Sequence, residues 1–163
     1  MEATTGPGSA ELERSARYVV GLFLATVALG IVLLVAFDTD VQTIDARELV
    51  QRKVDAREFF AGDYLFIVLY AVLSPIALWR FGGGLRGRAR SWTRVGGLIL
   101  VAAGLFDCAE NALILSATGS GSQEAVDAAH GVAVPMTALF LIGAALVIVA
   151  NARAIRVLRA RGG

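Results

Sequence analysis

Residues 95–118 read VGGLILVAAGLFDCAENALILSAT, and this stretch decides the fold. Its 24 residues are mostly apolar, and only Asp107 and Glu110 are ionisable acids. A membrane-spanning α-helix needs about 20 predominantly apolar residues. A soluble chain of 163 residues has no core large enough to bury several segments of this kind. The stretch therefore predicts a membrane span that carries two carboxylates in need of an explanation.

Three further apolar runs have comparable lengths. Residues 18–37 contain no charged residue in 20 positions, residues 64–79 contain none in 16, and residues 128–152 contain only one histidine in 25. The hydrophobic content is 56% and the mean hydropathy is +0.67. These features predict an all-α integral membrane four-helix bundle. The four spans are expected at about residues 17–37, 62–81, 94–118 and 127–152.

The distribution of charge predicts the orientation of the bundle. Residues 80–94 carry five arginines and residues 153–161 carry four, with no acid in either segment. Residues 38–63 instead contain seven acids and four bases. Because Lys and Arg concentrate in cytoplasmic loops, we expect both termini to be cytoplasmic and the protein to lie in the cell membrane.

The arginine clusters flank apolar runs, which bears on the partners of the protein. Basic residues at the ends of spans bind anionic lipid headgroups, so membrane lipids are expected partners and nucleic acid is not. The chain has 15 basic residues, of which only Lys53 is a lysine, beside abundant Ala, Gly and Val. We interpret this bias as typical of a GC-rich bacterial genome.

Composition predicts how the chain divides into a tail and a transmembrane domain. Residues 1–13 are predicted to be a disordered tail and residues 14–163 a single transmembrane domain. The first span follows an acidic tail and lacks an A-x-A cleavage site, so it is interpreted as a retained anchor.

The outer loop 38–61 contains a short repeat. The sequence Asp-Ala-Arg-Glu occurs at residues 45–48 and again at 55–58, and its Asp and Glu spacing is a variant of a helix-capping pattern. We therefore expect short interfacial helices in this loop, with Phe59 and Phe60 dipping into the membrane interface.

In the third span, Asp107, Glu110 and Asn111 lie within one arc of about 100° around the helix. Polar groups in a span point towards the bundle interior. At about 1.5 Å per residue, polar side chains of the second and fourth spans reach the same outer half of the membrane. The predicted site consists of Asp107 and Glu110 as catalytic residues, with Asn111, Tyr70, Asp63 and His130 as substrate-binding residues.

The chemistry of this face follows from its low dielectric. Two carboxylates one helical turn apart do not both ionise cheaply, so at least one is expected to be neutral near pH 7 or balanced by a bound cation. The spacing of Asp107, Glu110 and His130 does not match a metal-binding motif, so neither a metal nor another cofactor is predicted. Because Cys108 is the single cysteine, an internal disulfide or dithiol centre is excluded. Cys108 also points off the polar face.

Three functions are compatible with this pattern. We prefer acid–base chemistry on a lipophilic, lipid-like or isoprenoid-like substrate, such as double-bond isomerisation or cyclisation. The second is proton-coupled transport of a small cation, although the chain shows no inverted repeat. The third is a non-catalytic membrane subunit or scaffold whose polar face pins helices together. A homo-oligomer or a membrane partner protein is compatible with each of these functions.

Overall fold

The computed structural model describes the backbone of residues 7–36 and 53–162, and the side chains of residues 10–33, 35 and 60–160. Throughout these residues the regular structure is helical, and no strand is present. Four helical segments of the described chain are long and apolar enough to cross a membrane: Ala10–Leu33, Phe60–Gly83, Arg88–Ser120 and Gln123–Ala160. We refer to them as the first to fourth spans. The predicted all-α class and the four apolar segments are confirmed.

The helices that form these spans extend beyond them. The first helix, α1, covers Pro7–Ala36. The second span is built from α2, a π-helical turn and α3, which occupy Lys53–Ile67, Val68–Leu73 and Ser74–Gly83 in turn. The third and fourth spans lie in α4, Arg88–Ser120, and α5, Gln123–Gly162.

Consecutive spans pack side by side, and the first span packs against the fourth to close the ring. The contact between α4 and α5 is the most extensive. Glycines allow this close approach, since a Cβ atom added to Gly143 would overlap the side chain of Leu100, and one added to Gly96 would crowd Leu146. Small residues at such contacts are typical of helix pairs in membranes, where van der Waals packing holds helices together.

Residues 121–122 alone connect α4 and α5. Gly121 has a φ of 69°, a left-handed conformation that glycine adopts without strain, and its N–H donates to the carbonyl of Ala117 at 2.7 Å. The hydroxyl of Ser122 lies 3.4 Å from the backbone nitrogen of Ala125, as expected of a residue that precedes a helix. The short link therefore makes α4 and α5 an antiparallel hairpin.

The N-terminal end of α1 differs from the expected disordered tail. Helix α1 begins at Pro7, so residues 7–13 are helical, whereas residues 1–6 lie outside the described part of the chain. Proline is favoured at the first helical position, where no N–H donor is needed. Leu12 and Ala16 then pack into the core, and Arg17 forms a 2.6 Å ion pair with Glu13. The hydrophobic core thus extends past the end of the first apolar run.

The start of the second span also differs from expectation. Helix α2 begins at Lys53 and continues into the span without a break, so residues 53–61 are not a separate interfacial helix. No proline interrupts residues 53–74, and Phe60 is buried against Ile114 and Ala117 instead of lying in the interface. The first copy of the repeat and the side chain of Phe59 fall outside the described residues.

Candidate carboxylate site

A π-helical turn shapes the wall of the site on the second span. The turn covers Val68–Leu73 and ends next to Pro75, which has no N–H to donate and would clash with the carbonyl four residues before it. The carbonyl of Leu69 accepts two hydrogen bonds from Ser74, one from its backbone N–H and one from its hydroxyl at 2.8 Å. Such wide turns are rare and occur frequently at functional sites. This turn carries Tyr70.

Tyr70 joins the second span to the third. Its hydroxyl donates a hydrogen bond of 2.7 Å to Oδ2 of Asp107. Tyr70 is 2% exposed and Asp107 is 8% exposed. Among the described residues, no Lys or Arg forms an ion pair with Asp107. The phenol is therefore a polar partner that the buried carboxyl needs.

A second hydrogen bond links the same two spans nearer the C-terminal end of α4. The amide Nδ2 of Asn111 donates to Oδ2 of Asp63 at 2.5 Å. Asn111 is buried, and Asp63 is partly buried. The pairs Asp63–Asn111 and Tyr70–Asp107 run in the antiparallel order expected of consecutive spans. They set the register of the second span against the third.

Glu110 lies one helical turn from Asp107 and is 3% exposed. Asp107, Glu110 and Asn111 are therefore all buried, as their common face on the third span predicts. Of the six residues predicted to form the site, the structure brings together Asp63 with Asn111 and Tyr70 with Asp107, and it buries Glu110 on the same face of α4.

His130 is placed differently from the other predicted residues. Its side chain is exposed, while Val126 and Ala129 occupy the inner face of this part of α5. The structure thus does not bring His130 to the buried carboxylates. Within the described part of the chain, no group of three His, Cys, Asp or Glu residues is arranged to hold a metal ion.

Beside the carboxylate site lies an apolar cleft of about 280 Å³ between the first, second and fourth spans, with Leu100 of the third span also in its lining. Its lining includes Thr26 and Gly30 of α1 and Ala144 of α5. Three aromatic rings form one wall: the centroids of Tyr70 and Phe140 are 5.1 Å apart, and those of Phe66 and Tyr70 are 5.2 Å apart. We name this space the aromatic cleft. Tyr70 is common to both features, since its ring lines the cleft and its hydroxyl bonds Asp107.

The positions of Phe66 and Phe140 at the cleft are not predictable from the sequence, because an apolar residue in an apolar span carries no pattern that marks it. No known protein family, curated protein or solved structure matches this chain. The chemistry of the site must therefore be judged from its own geometry. A phenol between a buried carboxyl and an apolar cleft can donate a proton to a ligand or accept one from it.

Proposed function

We propose that the chain is a four-span integral protein of the cell membrane that binds a lipophilic molecule in the aromatic cleft and acts on it by acid–base chemistry. One observation carries the proposal. Tyr70 lines the cleft, and its hydroxyl also donates a 2.7 Å hydrogen bond to the buried carboxyl of Asp107. A ligand in the cleft would contact the residue whose hydroxyl is bonded to Asp107. The Tyr70–Asp107 pair is the proposed catalytic centre, with Glu110 beside it.

Surface composition supports insertion in a membrane. Large apolar side chains are exposed on the outer surfaces of the spans, among them Leu24, Leu105 and Leu141 at 60%, 68% and 62%. An apolar surface on this scale is unusual for a soluble monomer and suits a lipid environment. Trp79 and Trp92 lie with the arginines at one end of the bundle, where aromatic belts are expected. We place this end, and both termini, in the cytoplasm.

The apolar lining and the lateral border of the cleft favour a lipophilic ligand. It is bordered by exposed Val27 of α1 and Ile148 of α5, so in a bilayer it would open sideways to lipid. An acyl or isoprenoid chain would then enter from the membrane without passing through water. Apolar walls with a few placed polar groups are typical of small-molecule sites.

The proposed reaction conserves protons over the whole cycle. In this reaction the carboxyl of Asp107 is protonated and donates to the Tyr70 oxygen, which reverses the hydrogen bond of the structure and lets the Tyr70 hydroxyl turn to the ligand. The hydroxyl then delivers its proton to the ligand while Asp107 passes its own proton to the phenolate oxygen. Removal of a proton from a neighbouring carbon of the ligand restores the starting state by the reverse path. The net result is a shifted double bond, which is the isomerisation that an acid–base pair in an apolar site performs well.

Transport receives less support from the packing below the site. Gly104 lies one turn from Asp107 on the cytoplasmic side, and a Cβ atom added there would overlap that of Ala71. The second and third spans therefore touch closely at this level, and Ala103 and Leu100 are buried nearby. A proton pathway through the bundle would need to pass this contact.

A structural role is the second candidate, and a specific observation favours it. Both side-chain hydrogen bonds, Tyr70–Asp107 and Asn111–Asp63, join the second span to the third. Polar contacts between spans stabilise helix packing by about 0.6–2 kcal/mol. In this view the polar residues are a clamp, and the aromatic cleft is a surface for ordinary membrane lipid.

Occupancy of the cleft tests the proposal. Ala144 lines the cleft, whereas its neighbour Ala145 is exposed and does not, so Ala144→Phe and Ala145→Phe form a matched pair. After extraction into native-lipid nanodiscs, mass spectrometry of bound lipophilic molecules should show one species in the wild type and in Ala145→Phe. We expect Ala144→Phe to lose that species. Equal retention of the bound species by both variants would show that the ligand does not occupy the cleft, and would favour the structural role.

A further inference from the structure

A second groove lies between the first turns of α4 and the later half of α5. Its volume is about 300 Å³. The residues that line it are arginine, tryptophan and small or apolar side chains, including Arg88, Trp92, Leu146, Val149, Ala150 and Arg153. We call it the arginine groove. It lies away from the aromatic cleft and shares no lining residue with it.

The arginine groove has a charged end and an apolar wall. Arg88 and Trp92 are four residues apart on α4, so they lie on one face, and Arg153 lies one turn from Ala150 and Val149 on α5. Leu146 continues this wall one further turn from Arg153. Two guanidinium groups therefore stand at the end of a strip of apolar surface.

Nothing in the described chain neutralises these guanidinium groups. The one ion pair found there joins Arg17 to Glu13, and neither Arg88 nor Arg153 takes part. The sequence has no acid between residues 80 and 106, nor after Asp127. An anion from outside the chain is thus the natural counter-charge.

We propose that the arginine groove binds an anionic phospholipid from the cytoplasmic leaflet. The lipid phosphate is held between Arg88 and Arg153, since guanidinium groups match phosphate oxygens in charge and geometry. The beginning of an acyl chain lies over Leu146, Val149 and the indole of Trp92. Basic pockets between spans on the cytoplasmic side have the chemistry that such headgroups require.

This inference rests on the proposed membrane insertion and orientation but not on the chemistry at Tyr70 and Asp107. The occupant is a lipid and not free phosphate because the apolar strip leads directly from the arginines. A loose attraction of anionic lipid to all the cytoplasmic arginines would make no distinction between those inside and outside the groove. That difference is what the experiment measures.

A charge-matched pair of double variants provides the test. Arg88→Gln/Arg153→Gln removes the two groove arginines, and Arg90→Gln/Arg156→Gln removes two exposed arginines from the same helix ends that do not line the groove. The purified full chain is titrated in detergent with phosphatidylglycerol and with phosphatidylcholine, and binding is followed by native mass spectrometry. We expect the groove variant to bind phosphatidylglycerol about 30-fold more weakly, at about 1 kcal/mol per arginine, and the control to change little.

Three results would overturn the proposal. Equal weakening in both double variants would show diffuse attraction only, and unchanged binding in both would show no contribution from either pair. Competition by millimolar inorganic phosphate, with wild-type selectivity for phosphatidylglycerol lost, would show a free-anion site. Tyr70→Phe serves to separate this proposal from the proposed enzyme function, since it should leave phosphatidylglycerol binding intact. Circular dichroism of each variant checks that the helices are retained.

Discussion

The phenol of Tyr70 reaches across from the second span to lie 2.7 Å from Oδ2 of Asp107 in the third. The π-helical turn that carries Tyr70 ends beside Pro75, so a local backbone irregularity sets the position of the phenol. Because the Tyr70 ring also lines the aromatic cleft, any ligand there is one hydroxyl group away from a buried carboxyl. The enzyme and clamp interpretations therefore differ most in the role that they give to the Tyr70 hydroxyl.

Tyr70→Phe removes that hydroxyl and keeps the ring. We expect the cleft to retain its lipophilic ligand, because the aromatic wall is unchanged, while conversion of the ligand stops. Loss of the hydrogen bond should lower the free energy of unfolding by about 0.6–2 kcal/mol. Analysis of bound lipids gives occupancy and product, and thermal unfolding in detergent gives stability. Tyr18→Phe, at an exposed tyrosine, is the control.

The tight contact between the second and third spans is tested at Gly104. Gly→Ala in a helix normally stabilises by up to about 1 kcal/mol. At Gly104 the new Cβ would overlap that of Ala71, so we expect Gly104→Ala to destabilise by about 1–3 kcal/mol instead. Thermal unfolding in detergent measures the change.

Two further variants make this prediction specific. Gly131 lies in α5 with no atom within 4 Å of an added Cβ, so Gly131→Ala should be neutral or stabilising. Exchange of the two residues, Gly104→Ala with Ala71→Gly, should recover most of the lost stability because it removes the overlap. No recovery in the exchange variant would mean that other contacts of Gly104 limit the packing.

Glu110 and Asn111 are adjacent on α4 but should respond differently to substitution. Glu110→Gln keeps the size of the side chain and removes the second carboxyl of the proposed centre, one helical turn from Asp107, so we expect normal folding and loss of ligand conversion. Asn111→Ala removes the donor to Asp63 and should reduce stability by about 0.6–2 kcal/mol while conversion persists in the folded fraction. A harmless Glu110→Gln together with severe unfolding in Asn111→Ala would support the clamp.

Asn151 is buried in α5, and its polar group is only half satisfied. Its Nδ2 donates to the carbonyl of Val147 at 3.0 Å, but its Oδ1 accepts no hydrogen bond from the described residues. A buried unsatisfied acceptor costs about 1–3 kcal/mol. We therefore expect Asn151→Leu to raise the midpoint of thermal unfolding. A lower midpoint would show that Oδ1 has a partner in the membrane.

The orientation of the bundle in the membrane can be measured by cysteine labelling, because Cys108 is the single cysteine and can be replaced. In a Cys108→Ala background, one new cysteine at Gly83 and another at Gly119 lie beside opposite inter-helix connections, and an added Cβ meets no atom within 4 Å at either position. A membrane-impermeant maleimide applied to intact cells should label Gly119→Cys, while Gly83→Cys should react only after the membrane is opened. The reverse pattern would invert the proposed topology.

Much of the polar face is predictable because a carboxylate in an apolar span must face the bundle interior and pair with another polar group. With Asp107 and Asn111 on one face, a rise of about 1.5 Å per residue puts Tyr70 at a similar depth, and Asp63 joins the set because it shares a helical face with Tyr70. Their hydrogen bonds are present in the structure. The functional roles assigned to these residues remain predictions.

Other features depend on information that the pattern lacks. The π-helical turn adds a residue to one helical turn, which a 3.6-residue period does not reveal, although Pro75 marks the place. His130 is predicted as a site residue although it lies near the start of its span, and packing decides which side of the nearly all-apolar α5 faces inward. Residues 7–13 lack an apolar run, yet Leu12 contacts the core and helps to order the first turns of α1.

The short connection at Gly121 has a consequence for biosynthesis. Under the proposed insertion in a bilayer, the second span is synthesised before the third, so Tyr70 and Asp63 are already present when their partners Asp107 and Asn111 leave the insertion machinery. The fourth span then folds back across residues 121–122 and covers the third along its length. A lengthened connection should therefore delay this covering step and expose the newly made third span to quality-control proteases.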